Sequence, residues 1–342
     1  MHRYTLPKQK KFILLYLFIF IVFFLNAHAN PIRIMPLGDS ITQGINGSLE
    51  ERYQSAYRSE LYHTLQNEEY LIDFVGSQVQ GYDLYPRFDY NHEGYAWWTS
   101  YNIANYVYGF LVNNQPDIVL LHIGSNDTSP NQADSSSIEG VRAILNQIDL
   151  YESHYNHPVR VILATIINRR AYHRTVQYFN LNLRNLANAR IAAGDILTLV
   201  DMEYGAEFTY YDYSDSVHPN ESGYAKMANV WFEALTQLLP PPTPIEPTDI
   251  NLLSVESHSA TLTWNDTSVN EDGYKIYNGE TLIATLEPNT SSYRLENLTA
   301  NTTYSFSIVA YNVHGNSESI NIIFTTEDDF GWLVAINHMI LN

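Results

Sequence analysis

The chain has 342 residues, and its 18 lysines and arginines stand against 37 aspartates and glutamates, a formal net charge of −19. That balance argues against a nucleic-acid partner, because phosphate binding needs a basic surface. The absence of cysteine excludes disulfides, thiolate metal sites and a cysteine nucleophile. The length suggests two domains, or one large domain with an appendage.

Residues 1–29 predict a secretory signal peptide. Four basic residues precede an apolar run of 14 residues from Phe12 to Leu25, which fits a signal segment of about 7–15 residues and is shorter than the roughly 20 of a membrane span. Ala27 and Ala29 lie where a signal peptidase reads small residues. Without the signal, 14 basic and 37 acidic residues remain, a net charge of −23. We expect a secreted or periplasmic bacterial protein without stable membrane insertion; an uncleaved N-terminal anchor is the alternative.

A proline-rich linker divides the remaining chain. Residues 240–247 hold five prolines, which favour an extended, semi-rigid spacer. Residues 30–239 precede it as a candidate catalytic domain, and residues 248–326 follow it as a second domain. Residues 327–342 fit neither domain and are left unassigned.

Before the linker, apolar runs alternate with amphipathic stretches. The predicted strands are Ile32–Leu37, Leu71–Val75, Ile118–Ile123, Val159–Ile167 and Ile196–Val200. The predicted helices lie around Tyr57–Leu65, Val141–Ile148, Thr175–Ala193 and Tyr224–Leu239. Continuous apolar strands alternating with helices predict a three-layer α/β/α sandwich with a five-stranded parallel sheet, and functional groups should collect beyond the carboxyl ends of its strands.

After the linker the hydrophobic period changes to two, which predicts a small β-sandwich. Trp264 on an early strand, and Leu298 and Tyr304 six residues apart, make this segment resemble a fibronectin type III domain. The resemblance implies no catalytic group of its own. We expect this domain to act as a spacer or to contact a glycan or a protein.

Three short blocks at predicted strand ends carry side chains that can do chemistry. Residues 38–40 (Gly-Asp-Ser) place a serine on a tight turn, residues 124–127 (Gly-Ser-Asn-Asp) can aim an amide at an oxyanion, and residues 215–219 (Asp-Ser-Val-His-Pro) put an acid three residues before a histidine. The third spacing lets one loop supply a general base and the carboxylate that orients it. Taken singly, each block also fits an ordinary helix cap, turn or surface loop.

In this order, the blocks resemble those of the SGNH hydrolases, also called the GDSL family, over about residues 31–239. The four name-giving residues correspond to Ser40, Gly76, Asn126 and His218. The resemblance implies ester hydrolysis by a triad of Ser40, His218 and Asp215. It further implies an oxyanion hole formed by Ser40, Gly76 and Asn126, with no metal and no cofactor.

A narrower resemblance, to the acetyl xylan esterases of carbohydrate esterase family 3, rests on residues 35–40, 73–77, 92–95, 215–219 and 223–228. Residues 96–98, Ala-Trp-Trp, depart from it, because a glycine is expected before the tryptophan. We treat His92, Trp97 and Trp98 as candidate substrate contacts. A loop histidine and partly buried tryptophans are the alternatives. Asp39 and Asp127 are expected to be structural, and His122 a core residue.

These features together predict a secreted serine esterase that removes O-acetyl groups from a polysaccharide through an acyl-enzyme on Ser40. The first alternative is a lipase or lysophospholipase-like SGNH esterase that acts on longer acyl chains. The second alternative is a non-catalytic surface adhesion protein that uses its fibronectin-like domain. The complete set of site residues weighs against the second.

Overall fold

A computed structural model describes residues 31–129 and 137–329. The predicted signal peptide and most of the unassigned C-terminal segment therefore lie outside the described residues. Within the described ranges, no helix combines the length and the apolar character needed to cross a membrane.

The N-terminal part alternates strands and helices as the hydrophobic pattern predicts. Its elements are β1 (Ile32–Gly38), α1 (Ser40–Gln43), α2 (Arg58–Asn67), β2 (Ile72–Phe74), β3 (Glu93–Gly94), α3 (Ser100–Asn114), β4 (Ile118–His122), α4 (Glu139–Tyr155), β5 (Arg160–Ala164), α5 (Arg174–Ala193), β6 (Leu197–Val200), α6 (Met202–Gly205) and α7 (Glu221–Thr236).

The strands form one parallel sheet in the order β2-β1-β4-β5-β6, and the two-residue β3 also pairs with β1. The five predicted strands are all present, and the α/β/α prediction is confirmed. The short β3 and helix α3 were not predicted.

Helices cover both faces of the sheet, because successive side chains of a strand point to opposite faces. Met35 and Leu37 of β1 pack in a core with α3, α4 and α5. Ile34 packs in a second core with α2 and α7. This double burial explains why the strands are apolar throughout, and it leaves the strand ends as the places for polar chemistry.

Strands β2 and β3 both pair with the same edge of β1, one after the other along its length. Phe74 at the end of β2 pairs with Ile34, and β3 begins again opposite Leu37. Between these levels lies Pro36, which has no N–H to donate. Proline is tolerated here because neither β2 nor β3 pairs with this position. We call residues 75–92, which leave the sheet at this break and return to it, the excursion.

The C-terminal part is a β-sandwich, as predicted. Its strands are β7 (Thr248–Val255), β8 (Ala260–Asn265), β9 (Gly273–Asn278), β10 (Thr281–Leu286), β11 (Ser292–Leu295), β12 (Thr303–Asn312), β13 (Gly315–Asn316) and β14 (Ile320–Thr325). One sheet has the order β11-β8-β7, and the other has the order β10-β9-β12-β13 with β14 also pairing with β12. Trp264 and Tyr274 are buried between the sheets.

Candidate active site

Ser40 lies at the junction between strand β1 and helix α1. It follows β1 directly and is the first residue of α1, and Asp39 caps that helix by accepting the Ile41 N–H at 3.0 Å. Gly38 is required for the close approach of β1 to β4, since a Cβ there would lie 2.2 Å from the His122 carbonyl oxygen. The serine is 5% exposed, so it is almost completely buried.

Three side chains form a hydrogen-bonded chain that ends at this serine. His218 Nε2 lies 2.9 Å from Ser40 Oγ, and His218 Nδ1 lies 2.7 Å from Asp215 Oδ2. Because a carboxylate only accepts, Nδ1 carries the proton and Nε2 is free to accept the serine proton. The three residues therefore have the geometry of a nucleophile, a general base and an orienting acid.

The loop that carries the histidine and its acid is closed on itself. Residues Tyr213 and Pro219 form an isolated antiparallel bridge, and the Ser214 N–H donates to the His218 carbonyl at 2.9 Å. Asn220 then caps α7 by accepting the Gly223 N–H at 3.1 Å. The bridge and the cap fix both ends of the loop, so the imidazole is held towards Ser40 before substrate arrives.

Asp215 is kept ionised by its own loop. Burial opposes its charge, but hydrogen bonds from the main chain and side chain of His218, and from the Val217 N–H, outweigh burial and lower the pKa of Asp215 below its usual value. The main-chain N–H groups of Val217 and His218 both lie 2.7 Å from Oδ1. One carboxylate oxygen thus shapes the turn, and the other orients the imidazole.

Asp39 joins the first block to the second. Its Oδ1 accepts the Ile41 N–H, and its Oδ2 accepts the Ser125 N–H at 3.2 Å. The side chain is fully buried, and burial raises its pKa to about 6. The structure therefore gives Asp39 the structural position expected from the sequence, directly behind the nucleophile.

We expect Asp39 to make stability depend on pH. Its folded-state pKa of about 6 lies above the ordinary 3.8, so the folded state binds the proton more tightly than the unfolded chain. The resulting stabilisation is complete below about pH 4 and is lost as the pH rises through 6, by about 3 kcal/mol at pH 8. The difference in unfolding free energy between wild type and Asp39→Asn, measured in urea from pH 4 to 8, should fall by that amount. A constant difference would contradict it.

The second block places Asn126 beside the segment that leads into α3. Its Nδ2 donates to the Trp98 carbonyl at 2.8 Å, which leaves the second amide hydrogen for another acceptor. Its neighbour Asp127 accepts the Ser100 N–H at 3.0 Å and so holds the start of α3. Asp127 is therefore structural, as expected, while the second amide hydrogen of Asn126 has no acceptor among residues 31–129 and 137–329.

The structure does not bring Gly76 to the nucleophile. The Val75 N–H donates to the Ile34 carbonyl, so Gly76 lies near the level of Pro36, four residues before Ser40. Strand β3 occupies the place beside Leu37 and Gly38, between Gly76 and the serine. Gly76 packs instead against the main chain of His92. Its assignment to the oxyanion hole is wrong, because the chain departs on the excursion before it reaches the level of the serine.

After the excursion, residues 93–98 run past the site instead. Gly94 pairs with Gly38, and the Tyr95 N–H donates to the Gly38 carbonyl at 3.1 Å. The Ala96 N–H donates to Gln43 Oε1 of α1 at 2.8 Å. Trp97 lies between this bond and the one from Asn126 to Trp98. Within the described part of the chain, the Trp97 N–H has no acceptor.

The remaining candidate substrate contacts differ in exposure. His92 is completely buried, its Nδ1 accepts the Gly94 N–H at 2.9 Å, and burial and secondly the charge of Arg58 lower its pKa well below the usual value. It cannot touch substrate, which corrects that assignment. Trp98 stacks on Tyr95 at 4.1 Å between ring centroids, so it packs mainly against the protein. Trp97 is 81% exposed.

His122 also behaves as a core residue. It is fully buried at the end of β4, its Nε2 accepts the Ile167 N–H at 3.4 Å, and burial lowers its pKa to about 4. Among residues 31–129 and 137–329, no cluster of three or more histidines and carboxylates is placed to hold a metal ion.

Arg58, which was not predicted from the sequence, supports helix α1 behind the serine. Arg58 is buried in α2 and donates to five main-chain carbonyls, at 2.7 to 3.2 Å; they belong to Thr42, Gln43, Gln54, Gln80 and Tyr90. Burial lowers its pKa to about 9, so it stays protonated at neutral pH. The available signal was a charged residue on the apolar face shared by Leu61 and Leu65.

Comparison with known proteins agrees with this geometry. A model of the GDSL-like lipase/acylhydrolase family matches residues 34–231, and a fibronectin type III model matches residues 245–326. A family 3 carbohydrate esterase from Clostridium thermocellum is 31% identical, with a TM-score of 0.52 over 60% of this chain and 94% of that one. An acetyl esterase solved with an acetate ion is 28% identical, with a TM-score of 0.50 over 60% of this chain and 97% of that one.

A multidomain esterase from Ruminococcus flavefaciens is 28% identical over 241 residues, which is 62% of this chain. The matched part covers 29% of that protein's length. The family match takes in more than half of the present chain, and it includes the serine, the histidine and the aspartate that the structure brings together. The chain therefore belongs to the GDSL-like lipase/acylhydrolase family, and a fibronectin type III domain follows the family domain.

Proposed function

We propose that the protein is a secreted serine esterase that removes O-acetyl groups from a polysaccharide. The observation that carries the proposal is the unbroken chain from Asp215 through His218 to Ser40, on a fold similar to family 3 carbohydrate esterases. No metal or organic cofactor takes part in the proposed reaction.

In the acylation step, His218 Nε2 takes the proton of Ser40 Oγ as that oxygen attacks the ester carbonyl. Asp215 stabilises the imidazolium that forms. The bond from the carbonyl carbon to the sugar oxygen then breaks as His218 gives its proton to that oxygen, which yields the free alcohol and an acetyl ester on Ser40. Water then attacks this ester with His218 again as general base, and acetate leaves as Ser40 regains its proton.

Three donors are proposed for the oxyanion. They are the Ser40 N–H, the free amide hydrogen of Asn126, and the Trp97 N–H in place of Gly76. The main-chain donor of Ser40 lies in the first turn of a helix, where no helix carbonyl can accept it. Removing one donor of such a hole typically costs about 10²–10³ in turnover.

The likeness to family 3 carbohydrate esterases supports the proposed substrate, and the sequence supports the proposed location. The acidic mature chain repels anionic phospholipid surfaces, and the predicted signal peptide would export it. We propose an acetylated polysaccharide as the substrate, with the fibronectin type III domain as a spacer or a contact for glycan or protein.

Acyl selectivity tests the proposal. We expect kcat/KM for p-nitrophenyl acetate to exceed that for the octanoate ester at least about tenfold, as the proposed specificity for acetyl esters requires. Wild type should also release acetate from acetylated xylan, and acetylated pectin and peptidoglycan serve as comparison polymers. Faster octanoate hydrolysis, or no acetate from any of the three polymers, would reject the proposal.

A further inference from the structure

Trp97 is a strained and exposed residue at the edge of the site. Its φ is +68°, in the left-handed region that favours glycine and disfavours other residues. Its indole is 81% exposed, and it makes no ring contact with any aromatic side chain in the described ranges. A large apolar surface that is held in an unfavourable conformation yet not packed has no evident role in folding. Backbone strain of this kind concentrates at functional sites.

Two hydrogen bonds fix Trp97 relative to the reacting atoms. On one side, the Ala96 N–H binds Gln43 Oε1 of α1, the helix that begins with Ser40. On the other side, the Trp98 carbonyl accepts from Asn126 Nδ2. The left-handed residue between these bonds turns its side chain away from the protein, whereas Trp98 packs between the rings of Tyr95 and Tyr106, at 4.1 and 5.1 Å.

We propose that the Trp97 indole is a stacking platform for the sugar ring that carries, or adjoins, the acetyl group. The inference rests on the proposed function, since it specifies a contact with polysaccharide. An exposed indole offers a flat apolar face of the kind that the CH faces of a pyranose ring cover, and its fixed backbone lowers the entropy lost on binding. Trp97 thereby sets the preference for polymer, while its N–H serves the oxyanion.

The variant Trp97→Gly separates these roles, because glycine keeps the N–H and adopts the left-handed backbone without strain. We expect its KM for acetylated xylan to rise about tenfold, as loss of an aromatic contact implies. Its kcat/KM for vinyl acetate, which has no ring to stack, should fall at least about fivefold less than its kcat/KM for acetylated xylan. Its thermal midpoint should be unchanged or higher, so a weaker reaction with xylan is not a folding defect.

Two further variants serve as controls. Trp97→Phe keeps an aromatic face and should raise the xylan KM by less than about threefold. Tyr178→Ala removes an exposed aromatic ring from α5 and should leave both substrates unaffected. An unchanged xylan KM in Trp97→Gly would overturn the inference, and so would an equal loss with vinyl acetate. If the wild type released no acetate from any polysaccharide, both the proposed function and the stacking role would be rejected. If the wild type were active and Trp97→Gly had the same xylan KM, only the stacking role would be rejected.

Discussion

Replacing Ser40 with alanine is expected to lower kcat for p-nitrophenyl acetate by about 10⁴- to 10⁶-fold. The hydroxyl is the atom 2.9 Å from His218 Nε2, and without it no acyl-enzyme forms. Residual turnover would come from water activated by His218 near the remaining oxyanion donors. Initial rates with and without the substitution, at equal concentrations of folded protein, measure the effect.

The double variant Ser40→Ala/His218→Ala sharpens this test. Groups that act as one unit are not additive, so the double variant should be scarcely slower than Ser40→Ala. Ser254→Ala is a matched control, because Ser254 lies on β7 in the C-terminal sandwich and bonds Thr261. Its rate should equal that of wild type. A Ser40→Ala enzyme that keeps a tenth of the wild-type rate would exclude Ser40 as the nucleophile.

Replacing Arg58 with methionine should cost about 3–5 kcal/mol of unfolding free energy. The buried guanidinium supplies donors to five carbonyls that have few other partners within reach, and an apolar side chain would leave them unsatisfied. Because two of these carbonyls belong to Thr42 and Gln43 next to the nucleophile, kcat should fall as well. Urea unfolding, followed by the loss of esterase activity and by tryptophan fluorescence, measures the change.

Lysine at position 58 would keep the charge but lose the planar fork of donors, so we expect Arg58→Lys to lie between wild type and methionine. Arg142→Met is the matched control. Arg142 pairs with Glu139 on the exposed face of α4, and its loss should cost less than about 1 kcal/mol. A similar small loss for Arg58→Met would show that water or a relaxed backbone replaces its hydrogen bonds.

The helices with one clear apolar face and the strands that are apolar throughout were predicted from the sequence. Helix α3 was missed because asparagines and tyrosines surround its apolar positions, Ile103, Val107 and Leu111, and these residues are poor helix formers. Capping by Thr99 and the hold of Asp127 on Ser100 stabilise its start, and the second of these contacts joins residues 27 positions apart. Local propensity cannot report such support.

The candidate site shows the same division. Ser40, Asp215 and His218 lie in short motifs that keep their order along the sequence, so it was predictable that the three would lie together. Gly76 misled because a glycine after a strand normally marks the strand end, whereas here the excursion postpones that end to residues 93–94. Trp97 is exposed and Trp98 is packed because the backbone of Trp97 is left-handed. Two adjacent tryptophans in a sequence do not indicate which of them adopts that conformation.

Because the sheet is interrupted beside Pro36, the length of the excursion does not determine the position of the residues around Ser40. Strand β3 takes its register from Gly38 and does not inherit it from β2, while Arg58 holds the excursion at Gln80 and Tyr90. The chain between those two residues is a terminal arch whose tip, Tyr85, is 92% exposed. Insertions or exchanged sequences at the exposed residues 85–87 can therefore change this arch while Ser40 and His218 keep their positions.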